Sequence, residues 1–484
     1  MTQFDDIFKA ALNEILPTKQ EIEKHKEIID FLTKLLTQKA KELGITFKFI
    51  EPQGSTGIKQ TQLRNTSDID LFIGMDFKSF MEEKISKTKL KQKLKSKFRE
   101  LCETWIIKAI EKHDFKNIIL LYAEHPYVSA EYIDSEGITE IDIVLCFALS
   151  KEYLLENGPI TAVDRTPWHT RFVRDNLTKE QKNEVRLLKQ FFKCCYSYGD
   201  KSPVGRIGFI GYSSELLIYH FRNLLNLFQH FDELENQPID FFGRNTQQLK
   251  KKPRFINDFL IIIDPTDKNR NVAAAISKKA YYYCKDKVKQ FLKDPDISYF
   301  QFKSLPIVDF NLVKKEAIFD HLFLIEFKNE NLEVHYTELR DKLYSFGEKV
   351  KISGEIEKSK DPRFGKITFE VYFETDKNLY AISFFCKKPK ISEKFLRRGP
   401  PVKEKLHAKQ FKKKNPNYLL KENFLYIEEK RRFIKFLDFL NDISENKAPK
   451  EFDLINVSNC CHAKTDVGKR CVYILKEMVL PYIK

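Results

Sequence analysis

The stretch GSTGIKQTQLRNTSDIDLFIG, residues 54–74, decides how this chain is read. A Gly-Ser pair opens it, and thirteen residues after Ser55 come Asp68 and Asp70, parted by one isoleucine. Thr66 to Ile73 alternates as a half-buried strand does. Successive strand side chains face opposite ways, so Asp68 and Asp70 project together while Ile69 and Leu71 face a core. Two carboxylates about 7 Å apart on one strand face repel each other unless a cation sits between them. Mg²⁺ is a hard ion that takes one or two protein carboxylates together with substrate phosphates. Upstream, Gly54 lets the backbone approach a phosphate, and a helix starting after Ser55 would offer free amides to a triphosphate. Gly-Ser pairs are also common turn material and D-x-D recurs by chance, so this stretch alone leaves both readings open.

A third acid shifts the balance. In TEIDIV, residues 139–144, Asp142 stands between two β-branched apolar residues of another predicted strand. An acid there is either buried at a cost or facing a functional cleft. Two-metal phosphoryl transfer needs such a set, in which one ion activates the attacking hydroxyl and the other neutralises the leaving pyrophosphate. Asp142 would bind the ion at the hydroxyl, with Asp68 and Asp70 bridging both.

The bulk properties suit a nucleic-acid partner. The 484 residues imply two to four domains, and 42% hydrophobic content with 42 phenylalanines supports real cores. A net charge of +15 and a pI near 9.1 point to a polyanion. Nine cysteines, with Cys102, Cys146, Cys284 and Cys386 single among apolar neighbours, read as buried thiols in a reducing compartment rather than a disulfide framework. The opening MTQFDDIFKAALNEIL has no basic leader pattern, and no run reaches the ~18–20 apolar residues of a membrane span. A soluble, cytoplasmic protein with no membrane partner is expected.

Residues 5–43 read as helix restarting after Pro17, with Ile22, Ile29, Leu32 and Leu36 on one face. FKFIEPQGSTG reads as a short strand breaking into a turn. Lys84 to Arg99 holds eight basic residues and no acid, and Leu90, Leu94, Phe98, Leu101 and Trp105 mark it as an amphipathic helix with a solvated lysine face. YAEHPYVSAEYI and TEIDIVLCFAL read as two strands. From about residue 166 the pattern is helical, in VRLLKQFFKCCYSYG and in SSELLIYHFRNLLNLFQHF. DFLIIIDP precedes a helix over 272–293, and KITFEVYFE and YAISFFC are short strands. Residues 391–435 carry 14 Lys or Arg against 5 Asp or Glu, a net +9, mixed with aromatics and turn residues. The fold class is therefore α+β multidomain: a head over 1–165, a helical middle over 166–290, and an α+β C-terminal part over 291–484.

The order Gly-Ser, D-x-D, then a lone Asp on a later strand resembles the polymerase-β-like nucleotidyltransferase superfamily. YAEHPYV (122–128), AVDRTPWH (162–169), NEVRLLKQF (183–191), GFIGYSSELLI (208–218) and DPTDKNRNVAA (264–274) are similar to blocks of archaeal-type, class I tRNA CCA-adding enzymes. FLRRGPP near 395–401 and H-x-K-x-x-V-G-K at 462–469 extend the resemblance essentially end to end. It implies a nucleotidyltransferase head, a helical neck holding nucleotide, and a body with a basic tail for the tRNA acceptor arm. It also implies template-independent addition of C, C and A from CTP and ATP, with two Mg²⁺ ions, and it allows a homodimer. The alternative on the same head is a poly(A) polymerase or an oligoadenylate-synthetase-like enzyme, neither of which is expected to carry DPTDKNRNVAA.

Carried over by position, Asp68, Asp70 and Asp142 match the catalytic metal ligands, with Asp68 where relatives often have Glu. Gly54 and Ser55 match the triphosphate-binding pair. A basic residue normally stands three positions after the serine; here Ile58 stands there and Lys59 follows, so either Lys59 takes that role or the loop leans on Ser55 and Thr56. Thr166, His169, Lys189 and Tyr198 match nucleotide-contacting residues, and Arg270 an arginine that reads the base edge. Glu124, His125 and Tyr127 resemble a loop near the RNA end, and Arg397, Arg398, His462 and Lys464 fall in the presumed RNA-holding tail. Cys460, Cys461, His462 and Cys471 lack the C-x₂-C spacing of a zinc site. Phosphate contacts dominate such RNA recognition, so binding of tRNA should weaken steeply as salt rises from about 50 to 200 mM. Filter binding across that range checks it, and a flat response would count against the basic tail.

Overall fold

The computed structural model describes the chain except residues 1–2, 66–67, 81–86, 123–124, 136, 311–315, 331–333, 358–360 and 484. Thr66, Lys84 and Glu124 thus lie outside the described residues. Contacts divide the chain into two compact units. The first comprises Met1–Cys195, Phe209–Ile276 and Lys285–Phe302, and the second the remainder.

In the first unit, helices α1 (Gln3–Ile15) and α2 (Lys19–Leu43) are parted at Pro17. Thr18 caps α2, its hydroxyl accepting from Glu21 N at 3.1 Å while its own N–H donates to Glu21 Oε2 at 2.8 Å. Gly44 ends the helix at φ +67°. Ile28, Leu32, Leu36 and Ala40 form its buried stripe, whereas Ile22, assigned to that face from spacing, is 42% exposed one turn too early. Five strands follow: β1 (Phe49–Pro52), β2 (Ile69–Met75), β3 (Phe115–Tyr122), β4 (Pro126–Asp134) and β5 (Gly137–Phe147). Helix α3 (Lys87–Leu101) continues through a wide turn at Cys102–Ile106, where Trp105 donates to Leu36 O at 2.9 Å.

The sheet order is β1-β2-β5-β4-β3, and only β2 and β5 run parallel. Ile69, Leu71, Ile73, Ile141, Ile143 and Leu145 form the core under α2 and α3, which puts Asp70 and Asp142 on the alternate face of β2 and β5, ahead of Phe72, Val144 and Cys146. The edge strand β3 escaped the sequence reading because half of its residues are exposed and the apolar run IILLY does not alternate. Helices α4 (Thr166–Asn176), α5 (Lys179–Cys194), α6 (Gly211–Phe221) and α7 (Leu224–Gln229) come next. The run SSELLIYHFRNLLNLFQHF is two helices rather than one. Arg222 sits at φ +74° and Asn223 restarts the chain as a cap, accepting from Asn226 N at 2.8 Å. DFLIIIDP yields only the two-residue strand β6 (Ile263–Asp264), paired with β7 (Asp267–Asn271). Helix α8 covers Lys278–Lys293 and starts six residues later than the predicted 272.

The second unit is built on the antiparallel sheet β8 (Leu322–Lys328), β9 (Ile367–Glu374), β10 (Leu379–Cys386) and a last strand, Asp453–Asn459, ordered last-β8-β10-β9. Both faces are covered. Phe323, Ile325 and Phe327 pack with Phe436, Phe439 and Leu440 on one side, and Leu322 and Leu324 with Val467, Cys471 and Leu475 on the other. The basic segment folds as a three-stranded sheet, Lys394–Pro401, Phe424–Lys430 and Leu419–Lys421 in that order, with helix Lys405–Lys414. All nine cysteines are free, and no helix among the described residues is long and apolar enough to cross a membrane.

Glu326, fully buried in β8, accepts from Lys464 N at 2.9 Å, Thr465 N at 2.7 Å, Thr465 Oγ1 at 2.6 Å and Asn456 Nδ2 at 2.8 Å. A Cβ at Gly468 would collide with that anchored carboxylate. Gly468→Ala should therefore lower stability by about 1–3 kcal/mol. Helix propensity alone would raise it by about 1 kcal/mol, so the sign of the shift in a urea titration decides.

Candidate active site

The parallel pairing of β2 and β5 sets Asp70 directly beside Asp142, and Ser129 on β4 pairs with Asp142 from the other side. Strand β2 begins at Ile69, so Asp68, expected inside the strand, is the exposed residue that enters it. Burial, then the charges of Asp142 and Asp68, push the Asp70 carboxyl up to about 7, with Lys59 pulling the other way. Tyr127 on β4 stands in the same field, and burial with Asp142 and Asp70 pushes its phenol up to about 12. Among the described residues no group of three His, Cys, Asp or Glu has the mutual spacing of a finished metal-ligand set. The donor chemistry nevertheless suits a hard divalent ion, because Asp70 stands within the electrostatic reach of two further carboxylates, Asp142 and Asp68.

Gly54, at φ +65°, presses its backbone against Asp70, and a Cβ there would overlap Asp70 Oδ2. Residues 54–59 form a turn and no helix follows, so any free amides here belong to the turn rather than to a helix N-terminus. Ser55 O accepts from Thr61 N at 3.0 Å, which closes the turn. Ser55 is half-buried.

Behind the turn lies a knot of buried charge. Lys59 donates to Glu215 Oε2 of α6 at 2.8 Å and lies 4.9 Å from the Tyr212 ring centre. Thr61 Oγ1 donates to Glu215 Oε1 at 2.7 Å. Lys189 of α5 donates to Thr61 O and Thr61 Oγ1, both at 3.0 Å, and stands 3.6 Å from Glu215. Burial resists ionisation of Glu215, but the two lysines outweigh it and hold its carboxyl below the usual range. Burial pushes the Lys189 ammonium down to about 8. Arg186, one turn before Lys189, donates to Gln62 O at 2.9 Å and Gln60 O at 2.6 Å and clamps the end of the loop.

Tyr212 leads to a second cluster. Its ring stacks on His169 of α4 at 4.0 Å between centroids, and its hydroxyl donates to Asp264 Oδ1 at 3.1 Å. His169 Nε2 lies 2.7 Å from Asp264 Oδ2, and Arg270 of β7 donates to the same oxygen at 3.0 Å. Thr266 N and Thr266 Oγ1 donate to Asp264 Oδ1 at 2.9 and 2.8 Å. Burial opposes the charge on Asp264, yet His169, Arg270 and Thr266 N hold its carboxyl well below the usual range. Burial pulls the His169 imidazole down against the pull of Asp264. Thr166 is half-buried at the start of α4, behind a 3₁₀ turn in which buried Asp164 accepts from Phe147 N at 2.8 Å.

The structure thus brings Gly54, Ser55, Lys59, Asp68, Asp70, Asp142, Thr166, His169, Lys189 and Arg270 into one unit, while Tyr198 belongs to the other and is half-buried there. His125 is buried, edge-on to Phe98 at 4.9 Å. In the second unit Arg397 pairs with Glu429 at 2.6 Å, Arg398 lies over the Phe424 ring at 4.4 Å, and His462 and Lys464 are exposed. Cys460 and Cys471 are packed inside, their thiols on Phe319 O and Glu370 O. Glu215, Asp264, Tyr212 and Arg186 escaped sequence reasoning as site residues. A charged residue inside an apolar run, as in SSELLI and FLIIID, was the signal that could have found the two acids.

The family model "tRNA nucleotidyltransferase, second domain" matches residues 183–301. The chain is 31% identical over 453 residues to a CCA-adding enzyme of Methanocaldococcus jannaschii, covering 91% of this chain and 90% of that one. It is 33% identical over 300 residues to a CCA-adding enzyme of Thermoplasma volcanium, covering 62% and 59%. Among solved structures, a cytoplasmic RNA terminal U-transferase aligns with a TM-score of 0.45 at 15% identity, over 63% of this chain and 100% of that one.

The Asp70 carboxyl, raised to about 7, stays protonated in the folded metal-free protein where the unfolded chain has ionised. The stabilisation is present in full below pH ~4 and is lost as pH rises through about 7. Metal-free Asp70→Asn should accordingly be more stable than wild type at pH 8, by ~4 kcal/mol at most. The gap should close as pH falls toward 4, and parallel urea titrations at the two pH values check it.

Proposed function

The chain belongs to the CCA-adding enzyme family and is an α+β nucleotidyltransferase, and on that footing we propose that it builds the C-C-A end of tRNA from CTP and ATP without a template. The observation that carries this reading is the register of β2 and β5, which sets Asp70 against Asp142 with the Gly54 backbone closed over Asp70. In each addition the terminal ribose hydroxyl of the RNA attacks the α-phosphorus. A new P–O bond forms, the bond to the β-phosphate breaks, and pyrophosphate leaves. Asp68, Asp70 and Asp142 would hold two Mg²⁺ ions, which when bound supply positive charge at the attacking hydroxyl and the leaving pyrophosphate.

The remaining work falls to the chain's own groups. Ser55 and the amides of turn 54–59 receive the triphosphate. Lys59 and Lys189, both turned to Glu215, hold that turn in place and offset the carboxylate charge. Thr166, His169 and Arg270 orient the base. Tyr127 lies on the strand beside the carboxylates and meets the RNA end. Arg397, Arg398, His462 and Lys464 belong to the surface that takes the acceptor arm, within the division into head, neck and C-terminal body.

Incubating the enzyme with tRNA lacking its last three nucleotides, Mg²⁺ and single nucleotides tests the reading. CTP should be added twice and ATP once after it. Repeated addition of ATP with no use of CTP would overturn it in favour of a poly(A) polymerase. Asp142→Ala should abolish incorporation while leaving tRNA affinity within about twofold, because Asp142 acts on the reacting atoms and not on RNA phosphates. Equal loss of both would make Asp142 a support of the fold.

A further inference from the structure

Asp264 is the most heavily engaged carboxylate of the first unit, and none of the roles above uses it. Its Oδ1 takes the Tyr212 hydroxyl, Thr266 N and Thr266 Oγ1, and its Oδ2 takes His169 and Arg270. Five donors on one fully buried carboxylate leave it no freedom to move.

The two groups on Oδ2 are thereby given defined hydrogen-bonding faces. His169 Nε2 stands 2.7 Å from a carboxylate oxygen and 3.1 Å from Arg270 Nη1, which carries no lone pair to offer. The ring proton must therefore sit on Nε2 and point at Asp264, which leaves Nδ1 as the acceptor. Among the described residues, nothing donates to His169 Nδ1. Arg270 spends Nη1 on Asp264 at 3.0 Å, and among the described residues nothing accepts from its Nε or Nη2.

We propose that Asp264 is a positioning residue for base selection, fixing His169 as an acceptor and Arg270 as a donor beside the incoming nucleotide. The inference rests on the CCA-adding reading above. Cytosine and adenine share one pattern on their pairing edge, a ring nitrogen acceptor next to an exocyclic amine donor. Uracil and guanine invert it, with a ring N–H next to a carbonyl oxygen. A rigid arginine donor beside a histidine lone pair complements the first pattern and opposes the second. One site can then accept C and A while rejecting U and G, without side chains that change between additions. The stack of Tyr212 on the imidazole at 4.0 Å, with its hydroxyl also on Asp264, keeps the ring plane in register with the carboxylate.

Asp264→Asn keeps the shape but presents an amide that can donate to Nε2, which moves the ring proton to Nδ1 and frees the guanidinium. In single-nucleotide assays on truncated tRNA, the ratio of kcat/KM for CTP over UTP should fall about tenfold or more, and ATP over GTP likewise. Adding Arg270→Ala to Asp264→Asn should lower the ratio little beyond Arg270→Ala alone, because both act through one group. If all four nucleotides slow by the same factor and the ratios hold, Asp264 is only structural and the proposal fails. A second measurement does not depend on the Asp264 variant. In ¹⁵N-histidine-labelled wild type, with His169 assigned through His169→Gln, the ring should show the Nε2–H tautomer, and an Nδ1–H tautomer would overturn the proposal. Wild type that adds neither C nor A to tRNA would instead overturn the CCA-adding reading, and the tautomer result would stand apart from it.

Discussion

A parallel strand pair that lays one aspartate beside another builds repulsion into the centre of the first unit. Asp70 and Asp142 occupy the same register position on β2 and β5, and Asp68 adds a third charge where the chain enters β2. Apolar neighbours Ile69, Leu71, Ile141 and Ile143 lock that register, since a slip of one residue would exchange the acids for the core. The strain cannot relax by strand sliding. It can be met only by protons or by cations, and Lys59, reaching from the turn, meets a part of it. Gly54 completes the constraint, because only a residue without a side chain lets the turn close over Asp70.

The surrounding loops are organised by buried acids of a different kind, each matched by donors. Glu215 gathers Lys59, Thr61 and Lys189; Asp264 gathers Tyr212, Thr266, His169 and Arg270; Asp164 joins the end of β5 to the turn before α4. A buried carboxylate robbed of one partner costs several kcal/mol, so each acid restricts its segment to one conformation. Lys59 bridges the two clusters, paired to Glu215 and facing the Tyr212 ring that stacks on His169. The turn at 54–59 and the cluster around Asp264 are in this way mechanically continuous.

The second unit uses the same device where no reaction is at stake. Glu326 holds Thr465, which caps the helix of the HAKTDVGK motif by accepting from Gly468 N, and Glu370 takes Gly205 N, Lys279 and the Tyr344 hydroxyl. The cations of the basic segment lie over rings, with Arg398 on Phe424, Arg431 on Phe395 and Lys412 on Tyr418.

That Asp70 and Asp142 lie on strands among apolar neighbours was legible from residue order alone, because strand alternation is local, whereas Asp68, read as part of its strand, is the exposed residue before it. Also legible were the break at Pro17 and the two strands, read over 66–73 and 139–149 and found over Ile69–Met75 and Gly137–Phe147. Spacing did not reveal that Asp70 and Asp142 share a register, that the turn after Gly54 never becomes a helix, or that α6 and α7 part at Arg222. Nor did it reveal the partners of Lys59, which lie 156 residues away on Glu215. Local periodicity is written in neighbouring side chains, so the sequence determined the elements and the identity of the acids. Which charge meets which depends on distant segments folding against one another in a place water cannot enter, and only the tertiary structure decided that.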